Sequence, residues 1–322
     1  MGLRLAIGLI VAMGAGAQMA TAGSLDTKLD TQGHRGARGL LPENTLPAFK
    51  KAIDVGMVTL ELDTGVTSDG IVVVSHDRRL TPEITRGPDG EWLADPTPAI
   101  HDLTYAELQT YDIGRIKPGS RYARNFADQQ PIDGTRFPKL SEVLALGKAA
   151  GRPVRYNIET KISPLQPAET LGPEDFADAV LAVLREAGAL SHATIQSFDF
   201  RTLQHVRQVE PEVTTVYLTA QQGWLDNIKR GQDGPSPWTA GFDLDDHDGS
   251  VPRLIQAMGG DVWSPYFREV TAENIAEAHA LGLKVVVWTV NDPDDMRRLI
   301  ELGVDGIISD YPDRLAEVAG GA

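Results

Sequence analysis

The chain has no cysteine, which excludes disulfides, thiolate catalysis and cysteine-ligated zinc. It is also short of positive charge. Lys and Arg number 30 against 45 Asp and Glu, a formal net charge of -15. That balance argues against a nucleic-acid partner, because phosphate backbones recruit basic surfaces. A single phosphate remains within reach of an acidic protein, through a local basic pocket or a metal. Aromatic residues make up only 6%, so the sequence offers no obvious membrane-binding patch. Beyond the N-terminus no stretch reaches the roughly 20 apolar residues that a bilayer span requires.

What is present describes a globular protein: 322 residues, 42% hydrophobic and 23% charged, enough for one large domain or two ordinary ones. Arg4 precedes an uncharged apolar run from Leu5 to about Ala17, and Ala20-Thr21-Ala22 then offers a small-residue cleavage site. This is the pattern of a signal peptide over residues 1–22. A retained membrane anchor is the competing reading, but the run is short for it. The mature chain, residues 23–322, is then expected to be a single domain, periplasmic or secreted, with no stable membrane anchor.

Helix and strand signals alternate along the mature chain. Gln32-Gly33-His34-Arg35-Gly36 turns sharply at the end of a short strand, and Pro42-Glu43-Asn44-Thr45 starts a helix ended by Gly56. Val58 to Asp63 is the next strand. Asp69-Gly70 marks a hairpin that returns through Ile71 to Ser75. Prolines from Pro82 to Pro131 leave room for only short elements, so residues from about 80 to 138 read as a compact insertion. Thr104 to Glu107 within it has capping-box character. Regular alternation then resumes, including a weak helix over Leu225 to Arg230. Apart from the hairpin strand, eight strands are expected, containing or ending at His34, Glu61, Asn157, Ile195, Val216, Val262, Val286 and Ile307. This is the pattern of an α/β fold of the (β/α)8 TIM-barrel type with a small insertion after the second-strand hairpin. A doubly wound sheet competes, but no G-x-G-x-x-G follows the first strand.

Residues two apart on a strand share a face, so Glu61 and Asp63 project side by side while Leu60 and Leu62 pack the other way. Alone, the pair fits a solvated surface strand. Glu159 joins them from an adjacent strand, and three converging carboxylates require a hard divalent cation, Ca2+ or Mg2+. The competing reading pairs Glu159 with Lys161, which can instead contact an anion. His34 and His76 each end a short strand beside a charged residue. They are the candidates for proton transfer, because imidazole titrates near neutrality. Arg35 supplies a planar fork suited to phosphate, unless Glu43 or a cluster carboxylate occupies it. Together these groups suggest metal-assisted hydrolysis of a phosphate ester.

His34-Arg35-Gly36, Pro42-Glu43-Asn44-Thr45, Glu61-x-Asp63, Ser75-His76-Asp77, Asn157 to Lys161, Gln196-Ser197-Phe198, Val287 to Asn291 and Asp305 to Pro312 resemble, in order, the glycerophosphodiester phosphodiesterase family. The likeness runs from Gly33 to Leu315, and the length of the insertion resembles the periplasmic bacterial members. The resemblance implies a barrel enzyme that converts small-molecule glycerophosphodiesters to sn-glycerol 3-phosphate and an alcohol such as choline or ethanolamine. It implies that Glu61, Asp63 and Glu159 hold calcium or magnesium, and that His34 and His76 act as general acid and base. It further implies that Arg35 and Lys161 meet the phosphate, with attack by the neighbouring glycerol hydroxyl through a cyclic phosphate. Trp288 would pack on the glycerol part, plain core filling being its alternative. Two other readings compete: a lysophospholipase D-type phosphodiesterase, and a non-catalytic phosphodiester-binding protein.

Overall fold

The computed structural model describes residues 29–320 as a continuous chain; the expected signal peptide lies outside them. Along that chain come β1 (Asp30–Gly33), α1 (Leu46–Val55), β2 (Thr59–Val66), β3 (Val72–Val74), α2 (Tyr105–Leu108), α3 (Arg121–Asn125), α4 (Leu140–Lys148) and β4 (Arg155–Thr160). There follow α5 (Pro173–Ala187), β5 (Ala193–Ser197), α6 (Phe200–Val209), β6 (Thr214–Thr219), β7 (Gln221–Gln222), β8 (Leu225–Asp226) and α7 (Val251–Ala257). The last elements are β9 (Val262–Pro265), α8 (Ala272–Ala280), β10 (Lys284–Val287), α9 (Pro293–Leu302), β11 (Gly306–Ser309) and α10 (Pro312–Gly320).

Eight strands pair in parallel in the order β1-β2-β4-β5-β6-β9-β10-β11, and β11 returns to β1. The sheet is therefore a closed (β/α)8 barrel, as the strand–helix alternation predicts. Closure leaves no parallel edge to protect. Within this sheet, among the described residues, β3 alone runs antiparallel, laid against the end of β2 with Thr64 opposite Val74.

The residues explain the packing. In α1 the Thr45 hydroxyl caps Ala48 N–H, Pro47 occupies the first turn, and Gly56 closes the helix with φ +101°. Of its buried residues Ala48, Phe49 and Ala52, the last two join Leu60 and Leu62 of β2 in the main core between strands and helices. In α5 the residues Phe176, Val180, Leu181 and Leu184 recur at helical spacing and are all buried. Inside the barrel the lining divides. Val216, Val262, Val286 and Ile308 form an apolar cluster, whereas Gln32, Asn157 and Gln196 form a buried amide chain.

Between β3 and α4 the chain holds only short helices, as its prolines predict, and builds a small core of its own from Val73, Leu80, Ile100, Leu108, Ile113 and Phe137. Thr104 and Glu107 do form a capping box there. Leu225 to Arg230 departs from expectation: it is hairpin and loop, not helix. The Asn227 amide donates to the carbonyls of Phe198 and Leu218 and accepts from Ala220 N–H, while Asp226 accepts from Ile228 and Lys229 N–H. Such side-chain bonds compete with a helix for the same backbone groups. Helix α10 was not expected from the pattern; it starts on Pro312, a favoured first helical residue.

The packing makes a stability prediction. Phe49→Ala empties a fully buried position and should lower the unfolding free energy by about 3–5 kcal/mol in urea titration. Lys50→Ala, next to it but exposed and paired only with Asp54, should change it by less than about 1 kcal/mol. Equal effects would contradict this placement of the α1 face.

Candidate active site

The C-terminal ends of the barrel strands open into a cleft of about 420 Å3, whose lining includes His34, Arg35, Glu61, His76, Glu159, Lys161 and Trp288. Every candidate site residue read from the sequence except Asp63 lines it, and Asp63 lies immediately beneath, bonded to Asn44. In a barrel of this kind the strand ends are where function is carried. A larger groove of about 690 Å3 lies elsewhere, between α4, α5 and the start of β4, and gathers none of these groups.

Glu61 and Asp63 project together from β2 into the barrel, and Asp63 sits in register with Glu159 of the neighbouring β4. Oxygens of the three carboxylates come within 4.8 Å of one another, and all three residues are buried. Burial and the charge of Asp63 push the Glu61 carboxyl well above its ordinary value. Burial likewise raises Glu159, to about 7, against the pull of Lys161. For Asp63 burial is outweighed by His76, Arg35 and Lys161, which hold it well below the usual carboxylate range.

Directed bonds hold the cluster in place. The Gln196 amide donates to Glu61 Oε1 at 2.6 Å, and Arg35 N–H donates to Glu61 Oε2 at 2.8 Å. Gln196 is itself oriented, because Asn157 donates to its carbonyl oxygen at 2.9 Å and so turns its NH2 towards Glu61. Asn44 donates to Asp63 Oδ2 at 2.9 Å. Asp63 Oδ1 is different: it is buried and has no hydrogen-bond partner. Both Arg35 and Asn44 adopt left-handed backbone angles, φ +50° and +54°, which turn the loop after β1 back over the carboxylates. Gly36 makes that turn possible, since a Cβ there would lie 2.7 Å from the backbone of Ala48 and Phe49.

The two imidazoles stand above the carboxylates, each backed by an acid. His34 Nδ1 lies 2.6 Å from Asp310 Oδ1, leaving Nε2 towards Glu61 at 3.9 Å. His76 Nδ1 lies 2.7 Å from Asp77 Oδ1. The loop carrying His76 is tied down where Ser75 N–H donates to the Asp63 carbonyl, so the hairpin after β2 brings His76 back over that strand. Burial lowers both imidazoles from their ordinary value, opposed at His34 by Asp310.

The cations are less free than a bare motif suggests. Arg35 Nη1 donates to Glu43 at 2.6 Å and its Nε lies 3.4 Å from Asp63, so both carboxylate partners weighed from the sequence are present. Lys161 Nζ is 2.8 Å from Glu159 and 3.8 Å from Asp63; the anticipated pair forms, and the ammonium still lines the cleft. Trp288 packs on the inner apolar cluster, donates its indole N–H to the Ser264 carbonyl at 2.9 Å, and lines the cleft.

Several site residues carried no role in the sequence reading. Asp310, at the end of β11, orients His34 and is itself held by Asn291 at 2.7 Å; its position at a strand end was the available signal. Arg38 and Trp224 also line the cleft. Trp224 meets Tyr266 and Trp288 nearly edge-on, at 5.6 and 6.1 Å between ring centroids, while 61% of it stays exposed. No local pattern marks Trp224, because it sits in the turn of the two-residue-stranded hairpin β7–β8.

A barrel mouth that sets paired imidazoles over acidic and basic side chains is equipped for acid–base catalysis. The model of the "Glycerophosphoryl diester phosphodiesterase family" matches residues 34–314, and the chain belongs to that family. A glycerophosphodiester phosphodiesterase of Caldanaerobacter subterraneus subsp. tengcongensis is 28% identical over 88% of this chain and 94% of its own. One from Bacillus subtilis is 28% identical over 98% of this chain and 96% of its own. Among solved structures, a glycerophosphoryl diester phosphodiesterase-family protein from Silicibacter pomeroyi superposes with a TM-score of 0.80 at 34% identity, covering 92% of this chain and 94% of that one. An Oleispira antarctica phosphodiesterase, solved with its product sn-glycerol-3-phosphate, shares the fold with a TM-score of 0.64 at 21% identity, covering 90% and 96%. The protein is an enzyme, a glycerophosphodiester phosphodiesterase, and the reading as a non-catalytic binding protein is set aside.

The His34–Asp310 pair makes a pH prediction. Burial alone would raise the Asp310 carboxyl, but Arg38 and His34 together bring it well below its ordinary value. A lowered native value means that the stabilisation is complete above the unfolded carboxylate value near 3.9 and is lost as pH falls below it. Asp310→Asn should therefore cost roughly 1–3 kcal/mol at pH 7, and the deficit should shrink as pH falls below about 4. Denaturant melts of both proteins between pH 3 and 8 check this; a deficit constant across that range would contradict it.

Proposed function

We propose that this enzyme is exported and uses a divalent cation, Ca2+ or Mg2+, at Glu61, Asp63 and Glu159. In this reading it hydrolyses glycerophosphodiesters of the glycerophosphocholine and glycerophosphoethanolamine type to sn-glycerol 3-phosphate and the free alcohol. The observation that carries the reading is the Asp63 Oδ1 atom, buried in the cluster of three carboxylates and without a hydrogen bond, the nearest cationic group being the Lys161 ammonium at 3.8 Å. A buried anionic oxygen without a partner is costly, and oxygen-only donors of this charge suit a hard cation. The product bound to the Oleispira antarctica relative supports glycerol 3-phosphate as product here. The bacterial leader pattern supports export, and no helix among the described residues is long and apolar enough to cross a membrane.

A bound cation would supply charge for the phosphoryl oxygens and lower the barrier to in-line displacement. The remaining work falls to the chain's own residues. Asp310 and Asp77 accept the Nδ1 protons of His34 and His76, which presents the two Nε2 atoms to the cleft. One imidazole takes the proton of the attacking glycerol hydroxyl or water, and the other delivers a proton to the departing alkoxide. Burial lowers both imidazoles from their ordinary value and so disfavours their charged forms. An anionic phosphodiester placed between them favours the charged form, so the substrate itself helps to arm the acid. Arg35 and Lys161 face the phosphate with positive charge that their carboxylate partners keep in place. Trp288 and Trp224 offer apolar surface to the uncharged parts of the substrate.

Incubation with glycerophosphocholine should release glycerol 3-phosphate, and chelation should abolish the release. His34→Ala and His76→Ala should each lower kcat by about 10²–10⁴-fold. Full activity after chelation, or unchanged kcat in either variant, contradicts the proposal. The exposed Trp224 at the mouth motivates a parallel assay with lysophosphatidylcholine, where faster turnover than of the deacylated diester would transfer the assignment to a lysophospholipase D. Sequencing of the protein recovered from the expressing bacterium should begin at Gly23; a start at Met1 contradicts export with cleavage.

A further inference from the structure

The insertion over residues 80–138 places no side chain of its own in the lining of the catalytic cleft; it bears on the cleft through a second arginine. Arg38 lines the cleft three residues beyond Arg35. Its guanidinium lies over the ring of Phe126, 4.4 Å from the centroid, and 5.1 Å from that of Tyr122. Both rings belong to the insertion, at α3 and immediately after it. Gln129 and Gln130, further along the same segment, donate to the backbone carbonyls of Arg38 at 2.7 Å and Leu40 at 2.8 Å. The insertion thus grips both the backbone and the side chain of this loop.

Polar bonds finish the arrangement. Arg38 Nε donates to the Tyr122 hydroxyl at 2.9 Å and lies 3.1 Å from Glu43 Oε2. Burial and Glu43 keep the Tyr122 phenol protonated, so its hydroxyl donates to Glu43 while accepting from Arg38. Glu43 is the same carboxylate that holds Arg35. One carboxylate therefore fixes two guanidinium groups, and a tyrosine of the insertion fixes the carboxylate. On the cleft side, Arg38 Nη1 is 3.7 Å from Asp310, the partner of His34. Among the described residues neither terminal nitrogen of Arg38 donates a hydrogen bond. A guanidinium that is largely buried, held flat, and left with free donors facing a cleft is prepared for an oxyanion.

We propose that Arg38 is a further phosphate-contacting residue of this site, and that Tyr122 and Phe126 of the insertion are the residues that position it. The inference rests on the phosphodiester reading above and extends it. The insertion then has a task in substrate binding beyond covering the barrel, through a planar cation set beside the His34–Asp310 pair.

The test compares wild type with Arg38→Ala, Arg38→Lys, Tyr122→Phe and Phe126→Leu, each first checked for a cooperative thermal melt. Inorganic phosphate is the binding probe, followed by calorimetry, and glycerophosphocholine is the substrate. Arg38→Ala should weaken phosphate binding and raise KM by roughly 10- to 100-fold, the span of one charge-assisted hydrogen bond. Its kcat should fall by a smaller factor. Arg38→Lys should recover part of the affinity, because charge returns without the fork. Tyr122→Phe should move KM and phosphate affinity in the same direction by roughly 3- to 10-fold, and Phe126→Leu should do the same to a lesser degree.

Unchanged phosphate affinity and KM in a folded Arg38 variant overturns the contact. Unchanged values in Tyr122→Phe together with Phe126→Leu overturn the positioning. If Arg38→Ala does not fold, Arg38→Lys carries the decision, since a purely structural arginine would lower the melting temperature and leave phosphate affinity untouched. If wild type fails to hydrolyse glycerophosphocholine, the reading of substrate fails, and the phosphate titration still decides the role of Arg38.

Discussion

The repulsion among three buried carboxylates is the constraint on which the rest of this site depends. Glu61, Asp63 and Glu159 are brought within 4.8 Å by strand register alone, and no folded chain keeps such a cluster without balancing it. The surrounding residues divide that task. Gln196 and the Arg35 amide bond to Glu61, Asn44 bonds to Asp63, and Lys161 pairs with Glu159. One oxygen, Asp63 Oδ1, is left without a hydrogen bond. The Lys161 ammonium stands 3.8 Å from that oxygen, beyond hydrogen-bonding reach, and the proposed divalent cation would complete its partners.

Around this centre the ion pairs form two chains that meet in the cleft. One runs from Glu43 through Arg35 to Asp63, and the other from Asp310 to His34. Arg38 touches both, lying near Glu43 and Asp310 alike. An arrangement of this kind fixes charges before the substrate arrives, so that little reorganisation is needed when negative charge builds at the phosphoryl group. The buried amides beneath, Gln32, Asn157 and Gln196, extend the same order into the barrel floor. They make this part of the barrel interior polar beside the apolar cluster of Val216, Val262, Val286 and Ile308.

Much of this was legible in the sequence, for identifiable reasons. The barrel announced itself through repeated strand and helix signals, and β2 through the alternation of Leu60 and Leu62 with Glu61 and Asp63. The family motifs carried the site residues in order. What stayed hidden depends on contacts distant in the chain. Tyr122 meets Glu43 across 79 positions, and Asp310 meets His34 across 276; no local pattern encodes either. Leu225 to Arg230, expected as a weak helix, is hairpin and loop because the Asn227 side chain binds the backbone there. Trp224 stayed unread because an exposed tryptophan in the turn of so short a hairpin has no periodicity to betray it.

The most direct test of the central claim is calorimetric titration of chelator-treated protein with Ca2+ and with Mg2+, on wild type and on Asp63→Asn. The account predicts one saturable site per chain in wild type for at least one of the two ions, and loss of that site in Asp63→Asn while the protein stays folded. Absence of binding in wild type, or equal affinity in Asp63→Asn, would contradict it.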